Sequence, residues 1–189
     1  NEDFIVIKMG GSVLSDKDLF NILIKDIAVL KKLGLSIFLI HGGGTRISEK
    51  LKELNIKNNF INGLRVTDNK TIDIVEDVLV EFNKEIVNSL INQSCEAKQI
   101  TSKECNIITA EQENDILGFV GSPTHIKTNV LTKIIKTNEI PVIASLGLDK
   151  NNQTLNINAD TAAGSIAKEL NARRLLILSD VEGVLDKNK

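Results

Sequence analysis

The sequence predicts an α/β protein, a largely parallel sheet covered by helices. Two observations carry this reading. Short apolar runs of strand length alternate with stretches whose apolar residues recur three or four apart. The first two runs also end in glycines just before a helical stretch begins, the order of a βαβ unit.

Residues 4–7 form the first apolar run, followed by Gly10-Gly11. From Asp18 the period becomes helical, with Leu19, Ile22, Leu23, Ile27, Leu30 and Leu33 as the expected stripe and Gly34 in the C′ position. Residues 35–40 are a second strand running into Gly42-Gly43-Gly44, and residues 45–54 are helical again. Residues 60–66 contain Asn62-Gly63, a hairpin signal. Asp68 then stands where an N-cap belongs, and Ile72, Val75, Leu79, Phe82, Ile86 and Leu90 line one face of the longest helix, roughly 70–92. Residues 97–122 read as small strands with polar turns, 124–137 as helix and 141–146 as strand. A polar turn at 148–153 precedes a short strand at 154–157. Asn158 or Asp160 can cap a small-residue helix through Leu170, and 175–178 is the last strand.

Composition narrows the function classes. The 189 residues are 42% hydrophobic and 25% charged with a net charge of −2, the balance of a globular protein. Basic charge is concentrated nowhere, which argues against nucleic acid as the main partner. Nothing approaches the ~20 apolar residues of a membrane span, and the acidic start Asn1-Glu2-Asp3 is not a signal peptide. Cys95 and Cys105 have no metal-like spacing and read as reduced thiols of a cytoplasmic protein. The chain begins without Met and ends soon after a well-patterned strand, so a piece of a longer protein is expected.

The chemistry clusters in five short strings. Lys8 ends the first strand beside Gly10-Gly11, where open α/β sheets bind ligands and glycines let backbone N–H groups turn toward an anion; an ordinary loop with a solvated lysine reads the same way. His41-Gly42-Gly43-Gly44 precedes a helix and forms a second anion-binding nest. His41 reads as a structural hydrogen-bonding residue rather than a general base, and His125, at the start of a helix, as unrelated. Arg65, in the hairpin Asn62-Gly63-Leu64-Arg65-Val66-Thr67, carries a planar fork suited to a carboxylate, whereas Arg46 reads as a surface residue. Asn156 and Asn158 share one face of an extended stretch; Asp160 is either a cap or the partner that orients lysines. Finally, Ser179-Asp180-Val181-Glu182-Gly183-Val184-Leu185 is a strand end with a polar loop, a place for a nucleotide's base and ribose or a plain solvent loop.

These five strings in this order resemble the amino-acid kinase family, and within it the members that phosphorylate N-acetyl-L-glutamate. The resemblance spans essentially the whole chain, with the arginine hairpin as its discriminating motif. It implies a three-layer αβα sandwich of the carbamate kinase-like fold, cytoplasmic, and ATP-dependent phosphorylation of the side-chain carboxylate, the second step of arginine biosynthesis. Lys8 and Asp160 would be catalytic, and Gly10 and Gly11 would bind phosphate. Gly43, Gly44, Arg65 and Asn156 would hold the acyl substrate, while Asp180, Val181, Glu182, Gly183, Val184 and Leu185 would line the nucleotide. Mg²⁺ would be held mainly by phosphates and water, with no metal ligand from the protein. The resemblance also implies a homodimer, and a division into an acyl-substrate and phosphoryl-site lobe at 1–173 and the start of a nucleotide lobe at 174–189. The second catalytic lysine would lie beyond Lys189, so these residues alone are expected to lack full activity. Between Ala97 and Gly121 the family's glycine-rich string is replaced by Thr101-Ser102-Lys103-Glu104. A kinase of another amino-acid carboxylate and a non-catalytic N-acetylglutamate-binding remnant stay open at this point.

Overall fold

In a computed structural model, residues 3–179 are described. The elements run β1 (Phe4–Met9), α1 (Gly11–Ser15), α2 (Lys17–Lys32), β2 (Ser36–His41), α3 (Gly44–Glu53), β3 (Phe60–Ile61), β4 (Leu64–Arg65), α4 (Asn69–Ile91) and β5 (Ala97–Ile100). They continue with β6 (Ile108–Gln112), β7 (Val120–Ile126), α5 (Thr128–Lys136), β8 (Ile140–Ala144), β9 (Leu146–Leu148), β10 (Thr154–Ile157), α6 (Ala159–Glu169) and β11 (Arg174–Ile177).

The central sheet is parallel throughout, in the order β11-β1-β2-β8-β5. Its inner strands β1, β2 and β8 are apolar on both faces over most of their length, as strands covered on both sides must be, whereas β5 carries Lys98 and Gln99 and β11 is exposed. Ile7, Met9, Ile37, Leu39 and Val142 face α2 and α4, while Val6, Phe38, Ile40 and Ile143 pack against α5, α6 and a small barrel of β10, β7, β6 and β9. The result is the three-layer αβα arrangement. The long helix α4 starts where Asp68 accepts from the N–H groups of Lys70 and Thr71, and its whole expected stripe from Ile72 to Leu90 is buried. Gly34 adopts φ +88° just past α2, the left-handed turn that glycine makes without strain.

Three expectations need correction. In α2 the buried residues are Ile24, Ile27 and Ala28, while Leu19, Ile22 and Leu33 are exposed. Apolar residues occur on both sides of this helix, so more than one stripe of helical period can be drawn through it. Residues 124–126 are strand and not helix: β7 pairs antiparallel with β6 as far as Ile126, and a register shift at Thr109/Ala110 lies beside Pro123, which has no N–H to give. His125 therefore sits in a strand, exposed and outside the cleft described below. The run expected at 141–146 is broken at Ser145, where the chain leaves β8 and enters the barrel as β9. That break ties the ends of β2 and β10 together, since Ser145 N–H donates to His41 O (3.1 Å) and Ser145 O accepts from Ile157 N–H (3.0 Å).

Candidate active site

A cleft of about 260 Å³ opens at the carboxyl ends of β1 and β2, a size for a small polar metabolite. Lys8, Gly11, Gly42, Gly43, Gly44, Arg65, Asn156 and Asp160 all line it. Four separate sequence strings thus converge on one volume. The position follows from the sheet: β1 and β2 are parallel neighbours in register, so their two glycine loops emerge side by side. A Cβ on Gly11 would come 3.6 Å from Thr45 Oγ1, which shows how closely the loops approach.

Lys8 Nζ lies 2.9 Å from Asp160 Oδ1, the lysine mostly buried and the aspartate half-exposed. Asp160 is free for this contact because Asn158, not Asp160, caps α6: its Oδ1 accepts from the N–H groups of Asp160 and Thr161 at 3.0 Å each. Ala159 opens that helix directly beneath Gly42, whose Cβ would stand 3.2 Å from the alanine's. The small residues at the start of α6 let it approach this loop.

The glycines do different work. Gly43 is the N-cap of α3 and makes no side-chain cap hydrogen bond, so the helix presents its first-turn N–H groups without a side chain closing them off. A Cβ on Gly43 would lie 2.7 Å from Leu79 Cδ2, whereas one on Gly44 would meet nothing within 4 Å. Gly10 is not among the lining residues; a Cβ there would come 2.1 Å from the Leu178 carbonyl oxygen, so its lack of side chain serves the packing of β1 against the end of β11.

Arg65 is buried, with 6% of its surface exposed. Its Nη2 donates to Gly44 O (2.9 Å) and Ser48 Oγ (3.1 Å), its Nη1 to Asn58 Oδ1, and its guanidinium lies 4.7 Å over the Phe60 ring. All of these acceptors are neutral. Among the described residues no carboxylate pairs with it, and burial pushes its pKa below the ordinary arginine value. A buried, uncompensated cation at the wall of a cleft is a costly arrangement unless an anion completes it. Asn156 is tied to the same hairpin: its Nδ2 donates to Thr67 Oγ1 (3.3 Å), which donates to Arg65 O (2.8 Å).

His41 is fully buried, and burial pushes its pKa down to about 4. Its Nδ1 is 3.1 Å from Gly42 O and its Nε2 2.9 Å from Asn83 Nδ2. Arg46 pairs with Glu85 (2.8 Å) and stacks over Phe82 at 3.8 Å, outside the main cleft. The nucleotide residues expected at 180–185 lie outside the described residues. Among the described residues no three His, Cys, Asp or Glu side chains gather to hold a metal, and no helix is long and apolar enough to cross a membrane.

Sequence reasoning missed Ser48 and Asn58, which fix Arg65, and Asn83 behind His41, and it gave no role to Thr67, which holds Asn156. Ser48 and Asn58 carried no signal, being ordinary polar residues in a helix and a loop. Asn83 did: it interrupts the apolar run of the long helix.

The model of the amino acid kinase family matches residues 3–189. An acetylglutamate kinase from Pelagibacter ubique is 67% identical over 189 residues, covering 100% of this chain and 66% of the relative. One from Caldanaerobacter subterraneus is 44% identical, covering 96% and 62%. The chain thus spans just under two thirds of the length of these curated relatives. Among solved structures, smu.665 from Streptococcus mutans superposes with a TM-score of 0.88 at 31% identity, covering 99% of this chain and 76% of that one. Carbamate kinase from Giardia shares the fold, with a TM-score of 0.63 at 16% identity over 96% of this chain and 75% of that one. With its parallel sheet, its paired glycine loops and this match over nearly its full length, the chain belongs to the amino acid kinase family.

Proposed function

We propose that the whole protein transfers the γ-phosphoryl group of ATP to the side-chain carboxylate of N-acetyl-L-glutamate, giving N-acetyl-L-glutamyl 5-phosphate for arginine biosynthesis. The single observation that carries this reading is the buried Arg65, uncompensated by any carboxylate among the described residues, in the same cleft as the Lys8–Asp160 pair. A substrate with two carboxylates suits that cleft: one completes the arginine and the other lies at the glycine loops. The acetylglutamate kinases at 67% and 44% identity support the choice of substrate.

In this reading Arg65 clamps the α-carboxylate and Asn156, steered by Thr67, holds the α-substituents. The N–H groups of Gly43 and Gly44 fix the attacking carboxylate oxygen, while Lys8 and the backbone of Gly11 neutralise the phosphoryl oxygens. Asp160 keeps the Lys8 ammonium aimed into the cleft. ATP supplies the phosphoryl group and Mg²⁺ charge neutralisation, the cation held mainly by phosphates and water. The carboxylate oxygen bonds to phosphorus as the bond to the ADP oxygen breaks, so no general base is needed and a neutral His41 is no handicap.

Residues 1–173 form the acyl-substrate and phosphoryl-site lobe in this scheme, and 174–189 begin the nucleotide lobe, where Asp180, Val181, Glu182, Gly183, Val184 and Leu185 line the base and ribose. The protein works as a cytoplasmic homodimer, which sedimentation equilibrium tests. The activity is tested by ADP release from the full-length protein with N-acetylglutamate, glutamate and aspartate side by side. Turnover confined to N-acetylglutamate is expected, and a preference for an unacetylated acid refutes the assignment.

A further inference from the structure

We infer that Asn83, acting through His41, is a positioning residue that fixes the direction of the Gly42–Gly43 peptide and thereby aims the Gly43 N–H into the cleft. The inference rests on the phosphotransfer reading above.

A chain of donors and acceptors runs from the core to the loop. The Val142 carbonyl oxygen in β8 can only accept, and Asn83 Nδ2 donates to it at 2.9 Å. This makes the inward-facing end of the Asn83 amide its NH₂ group. The second proton of that group faces His41 Nε2 at 2.9 Å, so Nε2 must offer a lone pair. A neutral imidazole with an accepting Nε2 carries its proton on Nδ1, and that N–H donates to Gly42 O at 3.1 Å. The Gly42–Gly43 peptide is trans, so holding its C=O against the imidazole turns the Gly43 N–H the opposite way. The imidazole is packed edge-on against Phe82, and Gly43 itself lines the cleft.

Burial supports the assignment. His41 and Asn83 are both 0% exposed, so water does not stand in for either partner, and a pKa of about 4 keeps the ring neutral. Asn83 Oδ1 is buried with no hydrogen-bond partner among the described residues. A side chain that leaves one polar atom unsatisfied is a poor choice for packing alone, and its two satisfied contacts are those that set the tautomer.

The experiment uses the full-length protein. Long-range ¹H–¹⁵N spectra, with His41→Asn to assign the signal, should show His41 protonated at Nδ1. Asn83→Asp, whose carboxylate can only accept, should move that proton to Nε2. His41→Asn keeps an N–H donor near the Nδ1 position, whereas His41→Gln places it near Nε2. His41→Gln should therefore lower kcat roughly 100-fold with the KM for N-acetylglutamate changed by less than about threefold, and His41→Asn should recover at least about tenfold of that loss. A wild-type proton on Nε2, or equal kcat values for His41→Gln and His41→Asn, overturns the inference. Should Asn83→Asp fail to fold, the wild-type tautomer and the His41 pair decide. The tautomer is read without turnover, so Nδ1 protonation in a protein that does not phosphorylate N-acetylglutamate refutes the proposed function and leaves the positioning network standing.

Discussion

Replacing Arg65 by lysine keeps a positive charge at the wall of the cleft and removes the planar fork. In the structure the guanidinium spends donors on Asn58, Gly44 O and Ser48 Oγ and rests on Phe60, leaving its remaining N–H groups and its charge for a carboxylate. An ammonium has three donors radiating from one point; it cannot reach the acceptors on α3 and Asn58 and also hold a ligand side-on. The loss is about one charge-assisted hydrogen bond, roughly 1.5–3 kcal/mol, with part of a cation–π contact of roughly 0.5–1 kcal/mol. Together these make about 2–4 kcal/mol, or roughly 30- to 1000-fold in kcat/KM for N-acetylglutamate. The KM for ATP should move far less. A coupled ADP-release assay of the full-length protein, varying each substrate at saturation of the other, measures both, with circular dichroism to show that the variant folds. An unchanged kcat/KM for N-acetylglutamate would refute the carboxylate clamp and the substrate assignment with it.

The other expectations concern the lysine pair, the glycine loop and the buried histidine. Asp160→Asn should depress kcat roughly tenfold or more by releasing Lys8, yet leave stability within about 1 kcal/mol because the pair is partly exposed, whereas Asn158→Ala should cost about 1 kcal/mol in urea unfolding through the lost α6 cap. Gly43→Ala forces a methyl against Leu79, 2.7 Å away and wholly buried, and should cost about 1–3 kcal/mol; Gly44→Ala has open space and should cost nothing or stabilise slightly. Equal urea midpoints for these two variants would contradict the packing argument. His41 titrates at about 4 when folded and about 6.5 when unfolded, so the unfolded state takes up its proton first as pH falls. Its stabilising contribution is complete above pH 6.5 and is lost between about 6.5 and 4, on the order of 3 kcal/mol, and His41→Asn should flatten that part of the acid limb in urea unfolding.

The fold was legible where one period dominated. The stripe from Ile72 to Leu90 buries in full because the opposite face of α4 is charged, and Asp68 marks its start without ambiguity. The stripe of α2 misled because Leu19, Ile22, Val29 and Leu33 are apolar yet exposed, so hydrophobicity alone does not say which side meets the sheet. Strand β7 was hidden by Ser122-Pro123, which looks like a turn and is instead accommodated beside a register shift. What the string could not contain was the barrel, whose pairings join β6 to β9 and β7 to β10 across long stretches of chain.

The site shows the same division between local and non-local information. Lys8, the glycine strings, Arg65, Asn156 and Asp160 stood out because each combines a chemical group with a strand end or turn, and parallel pairing of β1 with β2 suffices to bring the first two together. The residues that aim them did not stand out, because a hydrogen-bond partner has no preferred sequence distance: Ser48 lies 17 residues from Arg65, and Asn83 42 residues from His41. Asn83 is the instructive case. It sits between Phe82 and Ile86 in a helix face that burial makes otherwise apolar, and a buried amide needs partners. The pattern therefore announces that something polar waits behind that helix, and the only strongly polar side chain on the facing strand end is His41. A polar interruption in an apolar stripe demands a partner, and a strand end that carries glycines is where such a partner stands, so the sequence itself joins Asn83 to His41.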